Sequence, residues 1–301
     1  MHCEWSRRYL FLVALKKLGI CYFKKFFVIC YCSKSLKRIS SVIFTKDGSF
    51  ILAANKFGDV LVAPTIPLGN GEFQSFRVLM GHFCSIITSI SLSQGQDLLA
   101  TSDRDGRCRI TKFPDNPMEG AHEIKSYCFG HHNFVSQSAF VAIEGKEILI
   151  SGGGDGRVKI WEIEDGKQLD SCLVGEEAVL NIVPAVDKRS AVVVMNGSTM
   201  IHYFTFHDLK LFRQELQLNV PVITDSYVDC QGKFWFVGPV GLQGVVIACA
   251  EIQDGKLVQC EIEEDFQSIT KQREGDQAVS QGHLPSYLNR SMKKTKHLIK
   301  S

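Results

Sequence analysis

Two stretches of this chain repeat one pattern. Gly81-His82 is followed by Thr101 and by Asp105-Gly106. Gly130-His131 is followed by Ser151 and Asp155-Gly156, then by Val158-Lys159-Ile160-Trp161. Self-similarity at a fixed period excludes most folds at once, because each repeat must be a supersecondary unit that buries its apolar face only against its neighbours. Such a unit brings no chemistry of its own. It builds a rigid surface for partners.

The glycine turns set the period. Phe57-Gly58, Asp105-Gly106 and Asp155-Gly156 fall 48 and 50 residues apart. Each follows a short apolar run (Phe50–Ala54, Leu98–Thr101, Ile148–Ser151) and precedes another (Val60–Val62, Arg107–Ile110, Val158–Trp161). Strand, tight glycine turn, strand is the grammar of a hairpin, since Gly reaches φ > 0 without steric cost. A further strand is predicted upstream of each hairpin, at Ser41–Phe44, Ile86–Ile90 and Val135–Phe140, and a fourth at Gln168–Cys172 after Asp165-Gly166. Two weaker units follow, turning at Asn196-Gly197, Gln231-Gly232 and Asp254-Gly255. A Gly-His pair, an Asp-Gly turn and a strand ending in Trp mark a WD-repeat blade. The expected fold is therefore an all-β, WD-repeat β-propeller, with about five recognisable blades between residues 39 and 262. No helical period supports a nucleotide-binding layer.

Residues 1–38 and 263–301 differ from that body. The first segment is apolar and aromatic but broken by Lys16-Lys17 and Lys24-Lys25, so it lacks the run of about 20 apolar residues that spans a membrane. No small-x-small cleavage site follows the apolar run, which argues against a cleavable signal peptide, and the lack of acids between Glu4 and Asp47 has some mitochondrial presequence character. We expect an atypical segment standing where a blade would begin. The last segment is polar and then basic, with Arg290, Lys293, Lys294, Lys296 and Lys300 and no acid after Asn289. It reads as a disordered tail with a short apolar docking segment, and its composition fits a solvated end, a nuclear-import signal or a nucleic-acid contact equally.

Bulk charge decides little, at +2 over 301 residues. Eleven cysteines raise the question of metal or disulfides. None forms a C-x-x-C pair, and the count is odd, so we expect reduced, mostly buried thiols of an intracellular protein and no metal site.

His131, Ser151, Asp155 and Trp161 could be mistaken for a nucleophilic set. In a blade with this spacing they form a structural chain instead, from the turn carboxylate through the imidazole and hydroxyl to the indole. His82, Thr101 and Asp105 are expected to make the same chain one blade earlier, left incomplete because Thr111 replaces the Trp. Gly152-Gly153-Gly154-Asp155-Gly156 looks like a phosphate loop, but such a loop opens a helix and this one enters a strand. Arg104, Arg107 and Arg109, with Lys112 beyond, concentrate positive charge at one turn. Period-two alternation puts Arg107 and Arg109 on one side of their strand. The choice is between a solvated edge with internal Arg–Asp pairs and a docking site for carboxylate or phosphate.

Several runs together resemble one family, the WD-repeat, non-catalytic subunit of the tRNA (guanine-N7)-methyltransferase. They are Leu79–Thr88, Ser102-Asp103-Arg104-Asp105, Gly120–Ile124 and Gly130–Ser136, with Leu284–Leu288 near the end. Asp-Arg-Asp is the most specific of these. The resemblance implies a seven-bladed propeller with no methyl-transfer site and no cofactor of its own. It implies a nuclear heterodimer with a separate catalytic subunit, which forms 7-methylguanosine in the variable loop of tRNA. It also implies that Arg104, Arg107 and Arg109 dock that partner. Local charge adds Lys112 to the docking set, and Lys293, Lys294 and Lys296 as tRNA contacts. The alternative is a generic scaffold such as a ubiquitin-ligase substrate receptor. Such receptors often end a blade in Trp-Asp-x-Arg, where this chain has Trp161-Glu162-Ile163-Glu164.

Overall fold

The structure is a computed structural model. It describes residues 39–67, 74–220, 222–240 and 244–260. The segments 1–38 and 263–301 lie outside the described residues.

Five four-stranded antiparallel sheets follow one another along the chain. The first contains β1 (Ile39–Phe44), β2 (Phe50–Asn55), β3 (Asp59–Pro64) and β4 (Arg77–Gly81). The second contains β5 (Ile87–Leu92), β6 (Leu98–Asp103), β7 (Arg107–Lys112) and β8 (Ile124–Phe129). The third has β9 (Val135–Ile143), β10 (Lys146–Gly153), β11 (Arg157–Trp161) and β12 (Gln168–Leu173). The fourth has β13 (Val179–Pro184), β14 (Ser190–Met195), β15 (Met200–His207) and β16 (Lys210–Gln217). The fifth has β17 (Asp225–Val228), β18 (Phe234–Val240), β19 (Gly244–Gln253) and β20 (Lys256–Cys260). Strands pair in chain order within each sheet, and the first strand of each sheet lies beside the first strand of the next. This is the blade arrangement of a β-propeller.

The second, third and fourth blades are each covered by two neighbours, so their middle strands are buried on both sides. In β14 every residue of Ser190–Met195 is buried. Its odd and even positions part company. Ala191, Val193 and Met195 pack with Ile150, Val158 and Ile160 toward the third blade, whereas Val192 and Val194 pack with Phe234, Phe236 and Ala248 toward the fifth. Burying one such side chain contributes about 1.5–3 kcal/mol, so the seams between blades dominate the stabilisation.

The hairpin glycines do two jobs. Gly106 sits at φ +85°, and a Cβ there would lie 2.9 Å from the carbonyl oxygen of His131 and 2.8 Å from that of Asn133. Gly58 is held in the same way by the carbonyls of His82 and Ser85. Each turn is thus clasped by the loop that enters the following blade. The glycine run is used up by packing. A Cβ on Gly152 would lie 2.5 Å from Val179 Cγ1, one on Gly153 2.8 Å from His131 Nδ1, and one on Gly154 2.5 Å from the Phe134 ring.

The expected hairpins are present, and the structure adds β4, β8 and β16, three outer strands that turn residues did not mark. The cysteines depart from expectation: among the seven described, Cys108, Cys128 and Cys249 are buried, Cys172 and Cys260 are half-buried, and Cys84 and Cys230 are exposed, so fewer than half are buried.

Candidate partner-docking site

The polar network of the third blade forms as expected. His131 Nδ1 faces Asp155 at 3.0 Å, His131 Nε2 lies 2.8 Å from Ser151 Oγ, and Trp161 Nε1–H donates to the same Oγ at 2.7 Å. With the imidazole proton on Nδ1, the Ser151 hydroxyl donates to Nε2 and accepts from the indole, so each of these buried groups has a partner. Burial pushes the Asp155 carboxyl up, but His131 and the amides of His132 and Arg157 outweigh it, and the net direction is down.

In the second blade the expected pairing needs correction. The acid that meets His82 is Asp103, at 3.1 Å from Nδ1, and not Asp105. His82 Nε2 still meets Thr101 Oγ1 at 2.7 Å. Register explains the difference. Asp103 pairs with Ile87 in this blade where Gly153 pairs with Val135 in the next. Gly153 has no side chain, so the third blade draws its carboxylate from the turn two residues later. In the second blade Asp103 stands at that closer position. Its Oδ1 also accepts the amides of Asp105 and Arg107. Here burial again raises the carboxyl, while His82 and Arg107 lower it by more. Asp105 is displaced outward, to 42% side-chain exposure. One signal for Asp103 was legible: Asn55, at the same place in the first blade, likewise accepts the amides two and four residues on.

The four candidate docking cations occupy different environments. Arg107 is held by its own turn, with Nε 3.1 Å from Asp103 and Nη2 2.8 Å from Asp105. Arg104 is 41% exposed and only 3.9 Å from Asp105. Lys112 pairs with Glu123 at 2.5 Å. It sits at the far end of β7, roughly 16 Å from Arg107 at about 3.3 Å per residue, so it does not share their corner. Arg109 occupies the most unusual setting. Its Nε donates to Thr111 Oγ1 at 3.0 Å and its Nη1 to the Gly81 carbonyl at 3.1 Å. Thr111 stands where Trp161 stands in the next blade, and the smaller side chain leaves room for the guanidinium. Burial pulls Arg109 below its ordinary value, with Tyr127 opposing. An arginine nevertheless stays protonated. Among the described residues no carboxylate lies within ion-pair distance of it.

Arg107 and Arg109 share one side of β7, as alternation predicts. Phe129 lies directly across from Arg107 on β8, and Tyr127 directly across from Arg109. The loop that leaves β4 after Gly81 runs through His82 into Phe83, which is 92% exposed. Lys293, Lys294 and Lys296 lie outside the described residues. Among the described residues no cluster of three or more His, Cys, Asp or Glu could hold a metal, and no helix is long and apolar enough to cross a membrane.

The sequence model of one family, described as the tRNA methyltransferase TRM82 WD40 domain, matches residues 70–224. Among curated proteins, the human tRNA (guanine-N(7)-)-methyltransferase non-catalytic subunit WDR4 is 31% identical over 212 residues, 65% of this chain and 48% of that protein. The mouse protein of the same name is 32% identical over 138 residues, 46% of this chain and 30% of its own length. The Xenopus laevis relative is 34% identical over 137 residues, 45% and 31% of the two chains. The alignments thus span less than half the length of these relatives. Among solved structures, the RRP9 WD40 repeats superpose with a TM-score of 0.57 at 16% identity, covering 72% of this chain and 61% of that one. A chain of the mitotic checkpoint complex superposes with a TM-score of 0.58 at 14% identity, covering 74% and 64%. At such identities the solved structures establish the WD-repeat propeller fold and nothing further.

Proposed function

The chain belongs to the family of the tRNA methyltransferase TRM82 WD40 domain, and on that premise we propose that it is a non-catalytic subunit which binds and stabilises the catalytic subunit that forms 7-methylguanosine in tRNA. The observation that carries this reading is Arg109. A half-buried cation bonded only to neutral oxygens has already lost part of its hydration, and a partner carboxylate would return a charge-assisted bond at little further desolvation cost. Arg104, one turn away and loosely paired, supplies a second exposed guanidinium. Arg107 acts differently. It is clamped by Asp103 and Asp105 and keeps the turn rigid, so that the partner meets a preorganised corner.

The propeller contributes presentation rather than chemistry. Its His–Ser/Thr–acid chains are spent on holding loops in place, and its glycine run is filled by Val179, His131 and Phe134. Methyl transfer on this reading takes place on the partner, in the nucleus. The lysines of the C-terminal segment, Lys293, Lys294 and Lys296, approach tRNA phosphate.

Co-expression with the cognate catalytic subunit, followed by size-exclusion chromatography, tests the reading. A 1:1 complex is expected for the native chain and a dissociating one for Arg109→Leu. Separate elution of two free native proteins would overturn it.

A further inference from the structure

Beside the arginines lies an aromatic surface to which the proposed docking assigns no role. Phe129 is 64% exposed and Tyr127 38% exposed. Their rings stack with centroids 5.6 Å apart and an interplanar angle of 18°. Burial alternates along β8. Ser126 and Cys128 are buried on one face, and Tyr127 and Phe129 stand out on the other. Because Arg107 faces Phe129 and Arg109 faces Tyr127 across the strand pair, the four side chains make a two-by-two tile on one side of the second blade.

The tile is rigid from behind. Ser126 Oγ donates to the Ile163 carbonyl at 2.6 Å. Gly166 of the third blade lies so close to the Tyr127 carbonyl that any side chain there would collide with it. The outer strand that carries the rings is therefore fixed by the neighbouring blade, although its rings face solvent. Exposed aromatics on a fixed backbone lose little conformational freedom on binding, and aromatic and arginine side chains are the groups that most often dominate interfaces.

We propose that Tyr127 and Phe129 form an apolar shelf that receives a segment of the catalytic subunit in which a carboxylate is followed by an apolar or aromatic side chain. The carboxylate meets Arg109 and the apolar group lies on the stacked rings. Charge complementarity selects this occupant. The tile holds a guanidinium without an acid of its own at Arg109, so a purely apolar segment would leave that cation buried and unpaired, and a basic one would be repelled. The inference rests on the docking reading given above and adds a specificity-determining surface to it.

Calorimetric titration of the full chain with the cognate catalytic subunit tests the shelf. Tyr127→Ala and Phe129→Ala are each expected to weaken binding by about tenfold or more and to make the heat-capacity change of binding less negative, since less apolar surface is buried. Phe129→Tyr is expected to bind as the native chain does. Binding that falls for Arg109→Leu but is unchanged in both alanine variants would overturn the shelf and leave the arginine docking intact. Failure of the native chain to bind would overturn both. Hydrogen exchange on the native pair gives a readout free of folding effects: protection confined to residues 124–129 and the 104–109 turn supports the shelf, and unchanged exchange at 124–129 contradicts it.

Discussion

Arg109 donates from Nη1 to the carbonyl oxygen of Gly81, 28 residues earlier in the chain, at 3.1 Å. The bond ties the third strand of the second blade to the end of β4, the outer strand of the first. It also leaves a positive charge partly out of water with no acid beside it. Arg109→Leu is therefore expected to cost partner binding about 2–5 kcal/mol, if the cation forms a buried ion pair across the interface. Arg109→Lys keeps the charge but loses the planar fork, and should recover only part of the affinity. Calorimetry with the catalytic subunit reads both values, and melting of the free variants should move little by comparison.

The two acids of the Asp-Arg-Asp turn should behave oppositely. Asp103 is buried and bonded to His82, Arg107 and two amides, so Asp103→Asn is expected to destabilise by about 1–3 kcal/mol. Asp105 is exposed, and Asp105→Asn should stay within about 0.5–1 kcal/mol. Urea unfolding of the two variants measures the difference. Equal losses would restore Asp105 to the network position.

Acid should weaken the fold through the same acids. The carboxyls of Asp103 and Asp155 are both lowered in the folded chain. A lowered folded value means that the unfolded chain binds protons first. Stability is thus fully present above the ordinary aspartate range, declines from about pH 5 downward, and is lost as pH falls through the folded values. Asp155→Asn should flatten part of this decline in unfolding curves recorded between about pH 3 and 7.

Two glycines separate packing from backbone strain. Gly154→Ala would drive a Cβ to 2.5 Å from the Phe134 ring, and overpacking of this kind costs about 1–3 kcal/mol. Gly145, at φ +82°, has open space around it. Gly145→Ala should cost only the left-handed strain, about 1 kcal/mol. Thermal melting should rank the first variant well below the second.

Binding of tRNA should weaken with salt if the C-terminal lysines meet phosphate. Each phosphate neutralised in a duplex region contributes about −0.9 to the slope of log affinity against log salt, and somewhat less in single strands. Replacing Lys293, Lys294 and Lys296 by Ala should reduce that slope by about 2–3. A slope unchanged by the triple substitution would remove these residues from the tRNA contact.

What the sequence made legible follows from its chemistry. Gly58, Gly106 and Asp155-Gly156 announce hairpins because few other residues tolerate such turns, and the His131–Trp161 network could be read from spacing. The outer strands β4, β8 and β16 were not marked, because they are half-exposed and lack alternating polarity: β8 reads Ile-Lys-Ser-Tyr-Cys-Phe, with apolar groups on both faces. That same feature hid the stacked rings of Tyr127 and Phe129. The mistaken assignment of Asp105 has a local cause. Aligning the Asp-Gly turns puts Asp105 opposite Asp155, and only strand register reveals that Asp103 occupies the place of Gly153. The charge cluster was visible as composition, but its division into a clamped Arg107, a loosely paired Arg104, a half-buried Arg109 and a distant Lys112 needed three dimensions.

The most direct test is reconstituted methyl transfer. Purified cognate catalytic subunit, held below saturating concentration, is assayed on tRNA for 7-methylguanosine in the variable loop, alone, with this chain, and with its Arg109→Leu variant. The account predicts a large rise in product with the native chain and little or none with the variant. Equal product in all three reactions would contradict it.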